Sequence, residues 1–154
     1  MRTKTKLRVF VSVPDDRHLD ARRKALKRAI VRFIAKQDFD VVGFEPEQFG
    51  AGRRKNLQSW TVEKANNRIR QCDAALILAL ARMHVRKVAP TNGKAGKVRA
   101  SAFLLPTAYN HLEGALAIAQ QLPLLILSEE NMDRTGIFSS GIKPATIPTY
   151  ADPF

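Results

Sequence analysis

The chain has 154 residues, 45% of them apolar, a single cysteine and a formal net charge of +12. This length and apolar content predict one globular domain, residues 1–154, with a core of its own. A lone cysteine, Cys72, excludes a disulfide framework, so we expect it to pack as a small hydrophobe in a reducing cytoplasm. No apolar run approaches a membrane span, and the run after the basic N-terminus is too short for a signal peptide, so no membrane partner is expected.

The positive charge is concentrated in four stretches, at 2–8, 22–36, 53–55 and 82–99. Such an excess favours anionic partners, such as nucleotides or nucleic acid. Few aromatic residues are interleaved with these cations to stack on bases, so nucleic acid is compatible with the charge but supported by no motif. The simpler interpretation of the cations at 22–36 is a solvated outer face of a helix.

The first third of the chain predicts a strand followed by a helix. Residues 7–13 are rich in β-branched residues, and Pro14 ends the strand. Asp15 and Asp16 can cap the helix that follows, because carboxylates accept hydrogen bonds from the free amides of a first turn. The buried stripe of this helix is predicted to contain Leu19, Leu26, Ile30, Phe33 and Ile34.

The middle of the chain predicts two further strands around a second helix. Residues 39–44 form the second strand, and a glycine-containing loop follows at 45–58. A helix then begins at Ser59. Its apolar positions are Val62, Ala65, Ile69 and Cys72. The third strand, residues 74–81, is apolar without alternation, as in a parallel strand covered on both faces.

The last third predicts a long connection, a helix and a fourth strand. Residues 83–105 are basic and contain Pro90 and two glycines, which indicates an insertion or a mobile lid. Thr107 can cap a helix that ends before Pro123, and residues 124–127 form the next strand. The predicted apolar stripe of this helix is Leu112, Ala115, Leu116, Ala119 and Leu122. Residues 139–154 are expected to be irregular, with a short strand at 147–150.

This alternation of strands and helices predicts an α/β fold of three layers, flavodoxin-like, with four to five parallel strands. Ligands of such sheets bind beyond the carboxyl ends of the strands, where the strand order reverses. Ser12, Arg82 and the start of the helix after Thr107 belong to that edge. Glu113 is therefore the acid best placed for chemistry, with Tyr109 one turn before it.

Other kinds of site find no support in the sequence. No cluster of His, Cys and carboxylate residues has the spacing of a metal site, and no serine lies in a Gly-x-Ser-x-Gly elbow. We expect neither a metal nor a cofactor. His111 is two residues from Glu113 and so faces elsewhere, which indicates a structural role.

The chain contains three short motifs: Val9-Phe10-Val11-Ser12, then Cys72-Asp73-Ala-Ala-Leu-Ile-Leu, and Tyr109-x-x-x-Glu113-x-x-x-Ala117 followed by Leu-Pro-Leu-Leu-Ile-Leu. Together they resemble bacterial TIR-like domains and the related nucleoside 2-deoxyribosyltransferase-like fold. In TIR enzymes a glutamate cleaves the bond between nicotinamide and ribose in NAD. In the transferases the corresponding glutamate is a nucleophile on the anomeric carbon. The resemblance, which covers residues 7–138, implies one of these roles for Glu113, with Tyr109 in the place of the TIR tryptophan.

The resemblance implies an enzyme that acts on the N-glycosidic bond of a nucleotide, most directly an NAD hydrolase or cyclase of TIR type in antiphage defence. NAD would be the substrate, and a homo-oligomer or a partner sensor domain would gate the activity. One alternative is a nucleoside or nucleotide deoxyribosyltransferase or hydrolase with Glu113 as nucleophile. Another is a non-catalytic nucleotide-binding or self-assembling signalling module. The predicted site comprises Glu113 as catalytic carboxylate and the pocket residues Tyr109, Ser12, Phe10, Arg82 and Asn110.

Overall fold

The computed structural model describes residues 6–43, 61–85 and 103–139, and the backbone of 145–147. Its helices and strands are β1 (Leu7–Ser12), α1 (Ala21–Ala35), β2 (Phe39–Val42), α2 (Val62–Ile69), β3 (Ala74–Ala79), β4 (Met83–Val85), β5 (Phe103–Leu105), α3 (Ala108–Ala119), β6 (Leu124–Glu129) and β7 (Ala145–Ile147). Two one-turn 3-10 helices, Asp16–His18 and Gly136–Phe138, are also present in this part of the chain. None of the helices found there is long and apolar enough to cross a membrane.

Five of these strands form one parallel sheet in the order β2-β1-β3-β6-β7. With the separate β4–β5 ribbon left aside, this is the 2-1-3-4-5 order of flavodoxin-like folds, and the strand order reverses between β1 and β3. α1 covers one face of the sheet through Ile34, which packs with Val11 and Leu76. α2 and α3 cover the other face. The predicted three-layer α/β fold is confirmed.

The outward and inward faces of α1 differ from the prediction at two positions. Phe33 is 66% exposed, so its placement in the buried stripe was wrong, whereas Lys27 is only 2% exposed. The Nζ atom of Lys27 donates hydrogen bonds to the carbonyl oxygen of Pro14 at 2.5 Å and to Oδ1 of Asp16 at 2.8 Å. A long side chain can thus be buried because its charged end reaches a carbonyl and a carboxylate, which a count of apolar residues does not foresee.

The start of α1 is capped by Asp20, whose Oδ1 accepts from the backbone N–H of Arg23 at 2.7 Å. The predicted cap Asp15 instead begins the preceding 3-10 helix, where it accepts from the backbone N–H of Arg17 at 2.8 Å. Hydrogen bonding by the Arg17 side chain lowers the pKa of Asp15 to about 2. Asp15 therefore caps a helix, but the short 3-10 helix instead of the predicted α1, and Asp16 is the first residue of that short helix.

α2 is capped by Thr61, and its buried residues are Ala65 and Ile69. Val62 is 50% exposed, so its prediction as a core position was wrong. Cys72 is 7% exposed within the cluster that joins α2 and α3 to the sheet, and its burial raises the pKa of the thiol. The prediction that Cys72 packs as a small hydrophobe is confirmed. The predicted helix start at Ser59 and the loop at 45–58 lie outside the described residues.

The segment 83–105 begins and ends in an antiparallel ribbon. Met83 of β4 pairs with Leu105 of β5, and Val85 pairs with Phe103. The residues between the two strands lie outside the described part, so the lid stays a prediction. The last strand, β7, covers 145–147 rather than the predicted 147–150 and pairs in parallel with β6.

The buried face of α3 is not the apolar stripe that the sequence indicates. Its buried residues are Asn110, Glu113, Gly114 and Ala117, whereas Leu112 is 42% exposed and Ala115 and Ala119 are exposed. The cause is the close approach of the helix to its neighbours. A Cβ atom on Gly114 would lie 2.4 Å from Cδ1 of Ile137. Small and hydrogen-bonded residues therefore face inward. The predicted stripe was wrong at Leu112, Ala115 and Ala119, whereas Leu116 and Leu122 are partly buried against the core, as predicted.

Enlarging Gly114 tests this orientation. We expect Gly114→Leu to lower the free energy of unfolding by about 1–3 kcal/mol through overpacking, although leucine is the better helix former. Ala115→Leu, the same side chain on the exposed neighbour, should change it by less than about 0.5 kcal/mol. Urea unfolding followed by circular dichroism measures both, and equal effects of the two substitutions would contradict the assigned face.

Candidate active site

The start of α3 is fixed to the end of β1 by the side chain of Asn110. Thr107 and Asn110 form a capping box, in which each side chain accepts a hydrogen bond from the other's backbone N–H. The Thr107 hydroxyl also donates to Oδ1 of Asn110 at 2.8 Å. Nδ2 of Asn110 then donates to Oγ of Ser12 at 3.0 Å. This confirms Thr107 as the N-cap and brings together two predicted pocket residues, Ser12 and Asn110.

Glu113 lies one turn after Asn110 and is 4% exposed. It is one turn before Ala117, which packs with Phe10 and Ala75 of the sheet. The carboxylate therefore belongs to the face of α3 that is turned to the sheet, close to the ends of β1 and β3. Removing a carboxylate from water costs free energy, so packing alone does not favour an acid at this position. The strand order reverses at this point, where flavodoxin-like sheets bind their ligands.

The sheet supplies two buried hydroxyl groups beside this helix. Ser12 on β1 pairs with Ile77 of β3, and Ser128 on β6 pairs with Ala79 of β3; both serines are 4% exposed. Alternation along the strands directs both side chains to the α2–α3 face. In the described part of the chain the Ser128 hydroxyl has no hydrogen-bond partner. Ser128 is absent from the predicted pocket residues, although a polar residue that ends an apolar strand signals this edge.

Three other predicted pocket residues have different surroundings. Tyr109 is 48% exposed in the first turn of α3. Arg82 is exposed just after β3, and its backbone N–H donates to the carbonyl oxygen of Leu105 at 2.9 Å. Phe10 is fully buried in the core with Ile69, two residues before Ser12 on β1. Tyr109 and Arg82 are thus accessible, whereas Phe10 is part of the packing under the site, and the pocket roles of all three stay predictions.

A second buried carboxylate, Glu129, lies on the opposite face of the sheet. It accepts hydrogen bonds from Nε and Nη2 of Arg23 at 2.7 and 2.8 Å and from the backbone N–H of Ala81 at 2.9 Å. This contact raises the pKa of the Arg23 guanidinium. Glu129 therefore holds together α1 and the carboxyl ends of β3 and β6. Among the described residues, Glu113 is the sole carboxylate buried on the α2–α3 face.

His111 points away from Glu113, as predicted. Its ring packs edge-to-face against Phe138, with ring centroids 4.9 Å apart. Burial lowers the pKa of His111, and the charge of Asp133 partly opposes this. In the described ranges no group of three His, Cys, Asp or Glu residues could hold a metal ion.

Two solved structures are similar to this chain, whereas no protein-family model and no curated protein matches it. A conserved protein from Enterococcus faecalis V583 is similar in structure, with a TM-score of 0.44, 13% identity, and 80% of this chain and 64% of that chain covered. A 2-desoxiribosyltransferase from Leishmania mexicana has a TM-score of 0.41 and 21% identity, with 90% of this chain and 74% of that chain covered. The chain thus spans less than two thirds of the Enterococcus protein, and both TM-scores are too low to support an inference.

Removing the Asn110 side chain tests the link between α3 and the sheet. We expect Asn110→Ala to cost about 1–3 kcal/mol of stability, since it removes one half of the capping box and leaves buried polar groups without partners. Asn67→Ala, on the exposed side of α2, is the matched control and should cost much less. Urea unfolding of both single variants, of Ser12→Ala and of the Ser12→Ala/Asn110→Ala double variant gives the coupling energy. Strict additivity would contradict a direct Ser12–Asn110 contact.

The lowered pKa of His111 predicts a pH dependence of stability. Because the unfolded chain binds this proton more tightly, the contribution is complete above the usual histidine pKa of about 6.5 and is lost as pH falls below it. Between about pH 7.5 and about pH 5.5, wild type should therefore lose more stability than His111→Gln in urea unfolding. His84→Gln, on an exposed histidine, should behave as wild type. If His111→Gln loses as much as wild type, this assignment fails.

Proposed function

We propose that this chain is an enzyme that breaks the N-glycosidic bond of a nucleoside or nucleotide, with Glu113 as the nucleophile on the anomeric carbon. The observation that carries the proposal is the burial of the Glu113 carboxylate, 4% exposed, one turn after the Asn110–Ser12 contact. That contact holds the start of α3 against the end of β1, at the edge where such sheets bind ligands. A catalytic role on a bound molecule would account for the free-energy cost of burying this carboxylate.

The chemistry needs one carboxylate. An oxygen of Glu113 forms a bond to the anomeric carbon while the carbon–nitrogen bond breaks. The electron pair of the carbon–nitrogen bond leaves with the base, which takes a proton from solvent. A second base or a water molecule then attacks the same carbon and releases Glu113, losing a proton as it does so. The positive charge that develops on the sugar favours an anionic group against it.

One carboxylate is sufficient for cleavage of an N-glycoside. Hydrolysis of a sugar–oxygen bond normally uses two carboxyl groups, one of them a proton donor to the leaving oxygen. A nucleobase accepts the electron pair into its ring and leaves more readily. On the α2–α3 face Glu113 is the one buried carboxylate of the described residues, and Glu129 is bound to Arg23 on the other face.

The neighbouring residues have complementary roles in this proposal. The hydroxyl of Ser128 is buried without a partner in the described part of the chain and is available to a hydroxyl of the sugar. Tyr109, half exposed at the start of α3, can stack on a planar base. Arg82, exposed at the end of β3, can pair with a phosphate group.

NAD is the second substrate class that this chemistry allows. Its nicotinamide leaves from ribose by the same bond cleavage, and the net charge of +12 attracts its pyrophosphate. Hydrolysis or cyclisation of NAD in antiphage defence, gated by self-assembly or a sensor domain, would follow from that substrate. The screen below therefore includes NAD beside nucleosides and nucleotides.

Replacing the carboxylate by its amide is the test of this function. We expect Glu113→Gln to lower turnover by about 1,000-fold or more, because an amide is a very weak nucleophile. Glu63→Gln, on an exposed glutamate of α2, is the matched control and should keep wild-type turnover. The measurement is chromatography of products after incubation with ribonucleosides, deoxyribonucleosides, their phosphates and NAD, with and without a second base.

Turnover that survives Glu113→Gln would overturn the assigned role. If no compound is converted by wild type, the non-catalytic nucleotide-binding module becomes the better account. In that case nucleotide binding should persist in Glu113→Ala, which calorimetry would show.

A further inference from the structure

The helix α1 and its C-terminal cap contain cations but no acid. The basic residues are Arg22, Arg23, Lys24, Lys27, Arg28, Arg32 and Lys36. Two of them turn inward and have acidic partners, Arg23 with Glu129 and Asp20, and Lys27 with Asp16. The internal needs of the fold therefore account for only part of this charge.

Four of the remaining cations, Lys24, Arg28, Arg32 and Lys36, form a row in which each follows the last by one turn; we call them the basic row. Lys24 is half-buried, and the other three are exposed. No carboxylate of the described residues forms an ion pair with the row, and Nε of Arg28 donates only to the backbone oxygen of Lys24, at 3.3 Å. Asp16 lines the same surface depression as Arg28 and Arg32, but its Oδ1 is bonded to Lys27.

This arrangement has an electrostatic cost that no ion pair among the described residues offsets. Like charges four residues apart on a helix repel each other, and the basic row contains three such pairs in succession. An ordinary solvated face mixes both signs of charge. The remaining exposed positions of this face are alanines, Arg22 and Phe33, so every charged residue exposed on α1 is basic. A polyanionic partner would relieve this repulsion when it binds, which would favour the complex.

We propose that the basic row binds the phosphodiester backbone of nucleic acid, independently of sequence. The row is about 18 Å long with a cation about every 6 Å, which suits a linear polyanion better than a single phosphate group. Arginine guanidinium groups bind phosphate oxygens through two hydrogen bonds. We expect little sequence preference, because contacts of the row to phosphate oxygens carry no sequence information.

The exposed ring of Phe33 favours single-stranded over double-stranded nucleic acid. Its ring is 66% exposed on the same side of α1, one position after Arg32. Aromatic rings beside a cationic row stack on the unpaired bases of single strands. An amphipathic helix that lies on a membrane would instead need a broad apolar face, and Phe33 is the one large apolar side chain exposed on α1. Single-stranded nucleic acid is therefore the partner that this surface fits.

Fluorescence anisotropy of a labelled single-stranded DNA of about 20 nucleotides, titrated with the full chain at several salt concentrations, tests the proposal. We expect Arg28→Glu/Arg32→Glu to weaken binding about 10-fold or more and to reduce the slope of log affinity against log salt by about 1.4. The charge reversal should not harm the helix, because two of the three like-charge pairs become opposite-charge pairs and one like-charge pair is kept. The neutral pair Arg28→Gln/Arg32→Gln should show a smaller loss of the same kind. Phe33→Ala should weaken binding to single strands more than to duplexes.

The matched control is Arg70→Glu/Arg134→Glu, which makes the same change in net charge at exposed sites elsewhere. It should weaken binding far less. Equal weakening by the two pairs would overturn the proposal, because it would show a general charge effect. The proposal also fails if the chain binds no DNA at about 50 mM salt. Tighter binding to anionic vesicles or to a polyglutamate peptide than to the oligonucleotide would reassign the surface to that partner.

Discussion

The rest of the site depends on the hydrogen bonds of the Asn110 side-chain amide. Its oxygen caps the first turn of α3 by accepting from Thr107, and its nitrogen holds Ser12 at the end of β1. One side chain thus sets both where α3 begins and where it meets the sheet. Glu113 follows one turn later on the buried face, so its position at the reversal of strand order is a consequence of this contact.

The two carboxylates that are buried at this edge in the described part of the chain lie on opposite faces of the sheet. One has a structural role and the other has the proposed catalytic role. On the α1 face, Glu129 is neutralised by Arg23 and fixes the backbone of Ala81 after β3. On the α2–α3 face, Glu113 and Ser128 are both buried. α1 has two sets of basic residues, one on each side of the helix. Its inward cations tie the edge of the sheet together, and its outward basic row offers a separate surface on the far side from Glu113.

The strands could be predicted from sequence because a parallel strand covered on both faces is an uninterrupted apolar run, as at 74–79 and 124–127. Helix faces were harder. Hydrophobic periodicity takes no account of close approach, so it missed Gly114 facing Ile137 and could not place the buried ammonium of Lys27. Topology alone placed Ser12 and Glu113 at one edge. The Asn110–Ser12 contact joins residues 98 positions apart, so no local sequence pattern indicates it.

The most direct measurement is whether Glu113 forms a bond to a sugar. A 2-fluoro-2-deoxy nucleoside destabilises the positive charge on the anomeric carbon and so slows the release of any glycosyl intermediate. Intact-mass spectrometry followed by peptide mapping should find the added sugar on Glu113 in wild type and none in Glu113→Gln. A sugar attached to another residue, or turnover of the parent nucleoside with no adduct ever formed, would contradict the assignment of Glu113 as the nucleophile.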